Sequence, residues 1–324
     1  MNLLEISRAE REAAPVFIVG EARSGTTILS RILQKHEAFR PREVNLRESA
    51  VMAHANQNAT YGPRLPSSLH GYMGDSQRYE DFLASLAPIR HLMRTGIVLQ
   101  ERIPSQRAKD LIWAATGHVL LVRSYFHHAR LVRGARRVVE KTPSHIHHVN
   151  RLLRCYPRAR LIYIHRHPVD VYSSYVRRSQ IDPKSRSWTR MSLKAFAKRW
   201  EQRTTLAIEA ADRLPDAFLL LPYADFTGDA QTTMRRVCHF VGEEFDPEII
   251  MEREPDLTRL KETPHVYGQI VTKTKDWSDY LSAERAARLQ ELLAPMMARL
   301  SYPPYGDPDR RAGASPGARH EIGP

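Results

Sequence analysis

The chain has little cysteine and no long apolar stretch, and both absences narrow its class. Its 324 residues include two cysteines, Cys155 and Cys238, which form neither a metal-ligand cluster nor a disulfide framework. No apolar run approaches the length of about 18 residues that a membrane-spanning helix needs. The opening residues, MNLLEISRAEREAAP, are charged and lack the apolar core of a secretory signal. We therefore expect a cytoplasmic, enzyme-sized protein without a transmembrane segment.

Acidic residues are outnumbered by basic ones, which points to an anionic partner. Lys+Arg number 49 and Asp+Glu 36, for a formal net charge of +13. An excess of this size suits nucleic acid, a membrane surface or an anionic small molecule, and it also occurs on plain solvated surfaces. The basic residues are spread along the chain, without the blocks or interleaved aromatics of a nucleic-acid platform. We expect no nucleic-acid partner.

A phosphate-binding loop near the start of the chain lacks its usual lysine. The apolar run Val16–Gly20 reads as a strand, and an amphipathic helix pattern begins after Gly25. The spacing G-x-x-x-x-G-T-T matches the phosphate-loop pattern, with Thr26 where lysine would grip the β- and γ-phosphates of a nucleoside triphosphate. Backbone N–H groups and the helix N-terminus still suit an anion. The loop therefore predicts a site for a phosphate-like anion, but not for ATP or GTP.

Strand-like runs alternate with helical patterns along the chain. Strands are predicted at 16–20, 138–139, 161–164 and 217–222, and helices within 81–133, over 146–153, from Pro168, and over 192–213, 232–241 and 281–300. Residues 56–80, Tyr223–Phe226 and 251–276 read as loops. This alternation predicts an α/β fold of three layers, a parallel sheet with helices on both faces.

Three of the four predicted strands are followed by a stretch with a basic residue, and the fourth is followed by an aromatic residue. These are the Gly20–Thr27 loop, Lys141, Arg166 and Tyr223. Ligands of such sheets bind outside the carboxyl ends of the strands. We therefore expect these residues to line one crevice that suits an anionic nucleotide.

Four stretches of the chain resemble motifs of the sulfotransferases that use 3′-phosphoadenosine 5′-phosphosulfate (PAPS). These enzymes have a P-loop NTPase-like fold. Arg23–Thr27 is similar to the family's 5′-phosphosulfate loop, and Leu161–Pro168 with Ser174 to its 3′-phosphate motif. Glu140–Pro143 and the stretch from Leu292 through Tyr305 resemble the protein-tyrosine and related bacterial branch. The resemblance implies a single domain over 1–305, with a variable acceptor-binding segment at 45–135. The tail, 306–324, is rich in Pro and Gly, and we expect it to be disordered.

The resemblance also implies which residues bind the donor. Arg23, Ser24, Gly25, Thr26 and Thr27 would bind the 5′-phosphosulfate. Arg166 and Ser174 would bind the 3′-phosphate, with Ser173 as a competitor for the serine role, and Tyr223 would contact the adenine. Before Trp277 the family often has a basic residue that meets the 3′-phosphate. Here Asp276 occupies that position, and Lys275 or Lys273 would replace it.

Sulfuryl transfer needs charge stabilisation and a base, and the sequence offers candidates for both. Lys141 would steady the bridging or a sulfonate oxygen as charge develops. Glu43 lies where relatives carry a catalytic carboxylate, with Glu48 close by and Val44 nearer the tyrosyl-type position; His145 is the alternative base. PAPS has no β- or γ-phosphate, so no metal is expected, and adenosine 3′,5′-bisphosphate (PAP) would be the product.

Two other functions compete with a sulfotransferase. A P-loop kinase for small molecules or nucleotides would need a substitute for the lysine missing at position 26 and Mg²⁺-dependent ATP turnover. A non-catalytic nucleotide- or polyanion-binding module would show steep salt dependence without transfer. The acceptor is expected to carry a hydroxyl, or less readily an amine. The absence of a signal sequence or membrane anchor favours a small-molecule or lipid acceptor over a peptide or carbohydrate.

Overall fold

A computed structural model describes residues 3–39, 90–251 and 276–305. The loop predicted at 56–80 and the tail at 306–324 lie outside these residues, as does most of the loop predicted at 251–276. The strands are β1 (Val16–Gly20), β2 (Val139–Lys141), β3 (Arg160–His165) and β4 (Phe218–Pro222). The α-helices are α1 (Leu3–Arg11), α2 (Thr26–Leu33), α3 (Arg90–Glu101), α4 (Gln106–Trp113), α5 (Val119–Arg133), α6 (Val149–Cys155), α7 (Pro168–Ile181), α8 (Arg186–Thr189), α9 (Leu193–Arg213), α10 (Tyr223–Gly228), α11 (Ala230–Val241) and α12 (Ala283–Arg299).

The four strands form one parallel sheet in the order β2-β1-β3-β4. The central strand β1 pairs with β2 from Val16 opposite Val139, and with β3 from Val16 opposite Arg160. All five residues of β1 are buried, as expected for a parallel strand that is covered on both faces. The predicted α/β fold and the four predicted strands are confirmed.

Helices cover both faces of the sheet. Side chains alternate along β1, so Phe17 and Val19 lie in one core and Val16 and Ile18 in the other. The first core is completed mainly by α5, α6 and the later part of α9. The second is completed mainly by α2 and α11. The expected three-layer arrangement is therefore present.

The contacts separate the chain into two compact units. One holds the described residues up to Arg166 and from Arg203 to Met251; it contains the whole sheet. The other holds 167–202 and the described residues from Asp276. In this second unit the Tyr305 ring stacks on His167, at 3.7 Å between centroids, and its hydroxyl donates to Asp170 (3.0 Å). The expected single domain over 1–305 stays a prediction.

Three predicted segments differ from the structure. The loop predicted at Tyr223–Phe226 is wrong, because these residues begin α10. The prediction failed because six residues are too few to show helical periodicity. In the structure the Thr227 hydroxyl donates to the Tyr223 carbonyl (3.2 Å) and reinforces this helical turn.

The helix predicted over 146–153 begins earlier, as a 3₁₀ segment over Pro143–His148. Within 81–133, a kink at Thr116 and Gly117, whose backbone is not helical, separates α4 from α5.

Candidate active site

The phosphate loop depends on backbone conformations that few residues adopt. Gly20 and Gly25 have φ angles of 154° and 103°, and Arg23, a non-glycine residue, has φ 74°. A Cβ atom at Gly20 would lie 2.8 Å from the Ile164 carbonyl oxygen of β3. Gly25 is the N-terminal cap of α2. Such strained backbone is typical of functional loops.

The loop has the polar groups that a phosphate or sulfate oxygen needs. Ser24 is fully buried, and its hydroxyl has no hydrogen-bond partner in the part of the chain that the structure describes. The first N–H groups of α2 have no acceptor within the helix, which is a general property of helix N-termini. Thr26 and Thr27 form the first two positions of that helix. These residues could therefore hold an anionic group between the loop and the helix N-terminus.

Tyr223 connects the loop with the end of β3. Its ring lies directly against Gly25, because a Cβ atom there would lie 2.5 Å from Tyr223 Cδ2. The Arg166 guanidinium lies over the same ring, with its carbon 4.7 Å from the ring centroid. Gly25, Tyr223 and Arg166, which were all predicted to line the nucleotide crevice, therefore form one series of contacts near the carboxyl ends of β1, β4 and β3.

The positive charge at the end of β3 belongs to Arg166 rather than to the preceding histidine. His165 is buried, and burial lowers its pKa to about 4. Its imidazole is therefore neutral near pH 7. Arginine keeps its charge at any ordinary pH and can bind two phosphate oxygens at once.

Lys141 ends β2, and a buried polar cluster fixes the turn that follows it. Glu140, 1% exposed, accepts a hydrogen bond from the Thr142 hydroxyl, and its Oε2 lies 3.0 Å from Nδ1 of His145. Because side chains alternate along a strand, Glu140 and Lys141 face opposite sides of the sheet. The first faces the core that contains Phe17, whereas half-buried Lys141 lies opposite Ile18. The cluster therefore holds the backbone on either side of Lys141.

His145 itself is part of that cluster. It is 1% exposed, and its ring contacts Phe17 edge-to-face, with 6.4 Å between ring centroids. A histidine packed this way faces the core and a carboxylate. Its surroundings favour a role in holding the turn over the predicted role of alternative base.

Ser174 and its competitor Ser173 lie on α7, in the second compact unit. The Ser173 hydroxyl donates to the backbone carbonyl of Trp277 (3.1 Å), so it serves that unit's own packing. Ser174 is half-buried. The helix begins at Pro168, as predicted, and His167 caps it by accepting from the Val169 N–H (3.3 Å).

Several predicted site residues lie outside the described residues. They are Glu43, Val44, Glu48, Lys273 and Lys275.

Within the described ranges, no group of three or more His, Cys, Asp or Glu side chains could hold a metal ion. Among the helices in those same ranges, none is long and apolar enough to cross a membrane.

Sequence reasoning missed two features of the site. The Glu140 cluster was hidden because a buried glutamate looks like a surface one in sequence. The second is the contact between Glu21 in the loop and Arg203 on α9, at 2.9 Å. The two residues are too far apart in sequence for any local pattern to pair them. The sequence does contain one indication of this contact: Glu21 is an acidic residue inside an anion-binding loop, and such a residue needs a basic partner.

Comparison with known proteins identifies the family. A model described as "Sulfotransferase family" matches residues 15–247. The chain belongs to the sulfotransferase family. The matched range contains the loop, the Glu140–Pro143 stretch, Arg166 and Tyr223. Membership supports sulfotransferase activity and confirms the predicted class of enzyme.

A solved sulfotransferase domain has the same fold. The sulfotransferase domain from the curacin biosynthetic pathway is 16% identical, with a TM-score of 0.51 over 90% of this chain and 99% of that one. The sulfotransferase domain of the Synechococcus PCC 7002 olefin synthase is 20% identical, with a TM-score of 0.49 over 88% and 95%. Sulfotransferase STF9 from Mycobacterium avium is 16% identical, with a TM-score of 0.47 over 91% and 79%. No curated protein sequence matches significantly.

Proposed function

We propose that this sulfotransferase uses PAPS as its donor and transfers the sulfuryl group to a hydroxyl of its acceptor. The observation that carries the proposal is the contact of Gly25 with Tyr223 and of Tyr223 with Arg166, beside a phosphate loop without lysine. A donor with a single 5′-phosphosulfate has no β- or γ-phosphate for such a lysine to grip. An adenine beside the aromatic ring and a phosphate on the guanidinium suit these two side chains.

On the donor side, the loop binds the 5′-phosphosulfate through backbone N–H groups and the hydroxyls of Ser24, Thr26 and Thr27. Arg23 adds positive charge next to this group. Arg166 binds the 3′-phosphate. From the family resemblance we expect Ser174 and Lys275 to bind the same phosphate. All of these contacts position the donor for an in-line displacement.

In the transfer step, the acceptor oxygen forms a bond to sulfur while the bond from sulfur to the 5′-phosphate oxygen breaks. Lys141 stabilises the negative charge that develops on the leaving or sulfonate oxygens. A carboxylate takes the proton of the acceptor hydroxyl, and Glu43 is its leading candidate, with Glu48 as the alternative. PAP is released, and the chemistry assigned to these residues uses no metal.

The test is transfer of labelled sulfate from PAPS to a panel of acceptors. The panel contains phenols, aliphatic alcohols, hydroxylated lipids, a tyrosine peptide and a polysaccharide, with a cell extract for acceptors outside these classes. We expect a labelled product whose formation is lost in Lys141→Met and kept in Lys194→Met, which changes an exposed lysine at the start of α9. Binding of PAP together with an absence of product from every acceptor and extract would contradict the transfer.

A further inference from the structure

An acidic residue lies inside the loop that is built to receive an anion. Glu21 directly follows Gly20, two positions before Arg23. An uncompensated carboxylate here would repel the 5′-phosphosulfate, because like charges at short range interact strongly in a poorly solvated site. Glu21 is 1% exposed, so water does not screen its charge. The loop can work as an anion site only if the protein offsets this charge.

Arg203 offers that offset from a distant part of the chain. Its Nη1 atom lies 2.9 Å from Glu21 Oε2, and its side chain is only 14% exposed. When one partner of such a buried pair is removed, the other charge is left uncompensated. The loop's charge therefore depends on a residue of α9.

The stretch of α9 around Arg203 is held firmly against the sheet. The neighbouring Thr204 hydroxyl lies 3.3 Å from the Tyr163 hydroxyl of β3. Ala207 and Ala210, on the following turns, are buried in the core below. Arg203 therefore extends from an element with a fixed position, as a positioning group requires.

Glu21 also shapes the turn that presents the loop. Its carbonyl accepts a hydrogen bond from the Ser24 N–H (3.2 Å), which closes the turn around Arg23 and its left-handed backbone. A side chain held by Arg203 restrains the residue at which this turn begins. The position of Ser24 is thereby connected to α9.

We propose that Arg203 is a positioning residue for the sulfate donor, acting through Glu21. Its main effect is to cancel the negative charge of Glu21, and its smaller effect is to restrain the turn that presents Ser24 to the 5′-phosphosulfate. This inference rests on the proposed function, because it concerns binding of the same donor. It adds to the donor site a residue of α9 that contacts the loop through Glu21.

The test compares Arg203→Met, Glu21→Gln and the double variant with the wild type. PAP dissociation constants come from calorimetry, and kcat and KM for PAPS from labelled sulfate transfer. We expect Arg203→Met to raise the PAP Kd and the KM for PAPS at least about tenfold, with kcat changed no more than about threefold. The double variant, which has no buried charge, should return to within about threefold of the wild-type Kd, because contacting residues behave non-additively. Arg203→Lys should show partial rescue.

Arg213→Ala is the matched control. Arg213 lies further along α9 and bonds Asn150 at the exposed surface, so PAP binding should not change. If wild-type protein fails to bind PAP, the proposed function fails, whatever the variants do. If wild-type protein binds and either Arg203→Met binds equally well or the double variant stays as weak as Arg203→Met, the positioning role is wrong. Should Arg203→Met fail to fold, the double variant decides alone, since the proposal requires it to bind PAP.

Discussion

At the scale of single residues, the site depends on close approaches that only certain side chains permit. Gly25 has no side chain, and the Tyr223 ring fills the space beside it. The same ring carries the Arg166 guanidinium on its face. A change at either end of this series of contacts should therefore disturb the donor site while the rest of the sheet keeps its packing.

Gly25→Ala should lower the free energy of unfolding by about 2 kcal/mol, because it combines an unfavourable positive φ with overpacking. The new Cβ would lie 2.5 Å from the Tyr223 ring, so PAP binding should weaken at least about tenfold. Gly228→Ala is the control, since a Cβ there meets nothing within 4 Å. Chemical denaturation and calorimetry measure both quantities. Equal behaviour of the two variants would count against the described contact.

Arg166→Ala should raise the Kd for PAP by about 30-fold, because hydrogen bonds to charged groups contribute roughly 1.5–3 kcal/mol. Arg166→Lys should recover only part of this loss, since an ammonium group cannot bind two oxygens as a planar guanidinium does. Arg288→Ala, which removes an exposed arginine paired with Glu291, serves as the control. Calorimetry with PAP gives the three values. An Arg166→Ala protein that binds PAP normally would remove Arg166 from the site.

At the scale of elements, the turn after β2 is the one that positions Lys141. Buried Glu140 accepts a hydrogen bond from Thr142 and lies beside His145, while Lys141 is on the other face of the strand. These contacts restrain the turn from the core side of the sheet. They predict that the position of Lys141, and with it kcat, depends on groups that are buried in the core.

Thr142→Val keeps the shape of the side chain but leaves Glu140 without one donor. We expect kcat to fall about tenfold and the PAP Kd to stay within about twofold, because a lost hydrogen bond to a buried charge costs roughly 1.5–3 kcal/mol and the binding loop is untouched. Thr232→Val, which changes an exposed threonine of α11, is the control. Steady-state kinetics and calorimetry together separate the two effects. A loss of PAP affinity equal to the loss of kcat would show that the turn does not act on Lys141 alone.

The sequence was most informative about elements whose residues are contiguous. Four apolar runs predicted the four strands, and the glycine spacing predicted the loop between β1 and α2. Tyr223 and Arg166 were predicted for one crevice from the rule that ligands bind at the carboxyl ends of strands. Their mutual contact could not be predicted, because it depends on rotamers and on the helix α10 that six residues do not reveal.

The buried ion pairs of the site were beyond sequence reasoning for another reason. Glu21 and Arg203 meet only after β1 and α9 have packed, and burial is what makes their charges matter. Local pattern carries no information on such long-range pairing. The position of His145 could not be predicted either, because its placement in the core beside Phe17 and Glu140 depends on tertiary packing.

At the scale of the whole molecule, buried neutral histidines connect stability with pH. Burial lowers the pKa of His118 to about 4, and burial together with nearby positive charge lowers that of His148 to about 3. His165 behaves similarly, with a pKa of about 4. In the unfolded chain these groups bind protons near pH 6.5, so acid favours unfolding. The protein should be stable above pH 6.5 and lose stability as the pH falls toward 4.

His118→Gln isolates one such group. Between pH 7 and pH 5 the variant should lose roughly 2 kcal/mol less stability than the wild type, because its side chain binds no proton in either state. His239→Gln, which changes an exposed histidine, should retain the wild-type pH dependence. Urea unfolding at a series of pH values gives these slopes. An unchanged slope in His118→Gln would mean that His118 takes up its proton in the folded protein.

We have proposed that the loop, Tyr223 and Arg166 form the binding site for a 3′-phosphorylated adenosine donor. Calorimetric titration of the wild-type protein with PAP, and separately with ATP and Mg²⁺, is the most direct test of this site. We expect one PAP site with a micromolar or tighter Kd that is unchanged by a chelator, and ATP binding weaker by about 100-fold or more. Tight Mg²⁺-dependent binding of ATP, or no PAP binding at millimolar concentration, would contradict it.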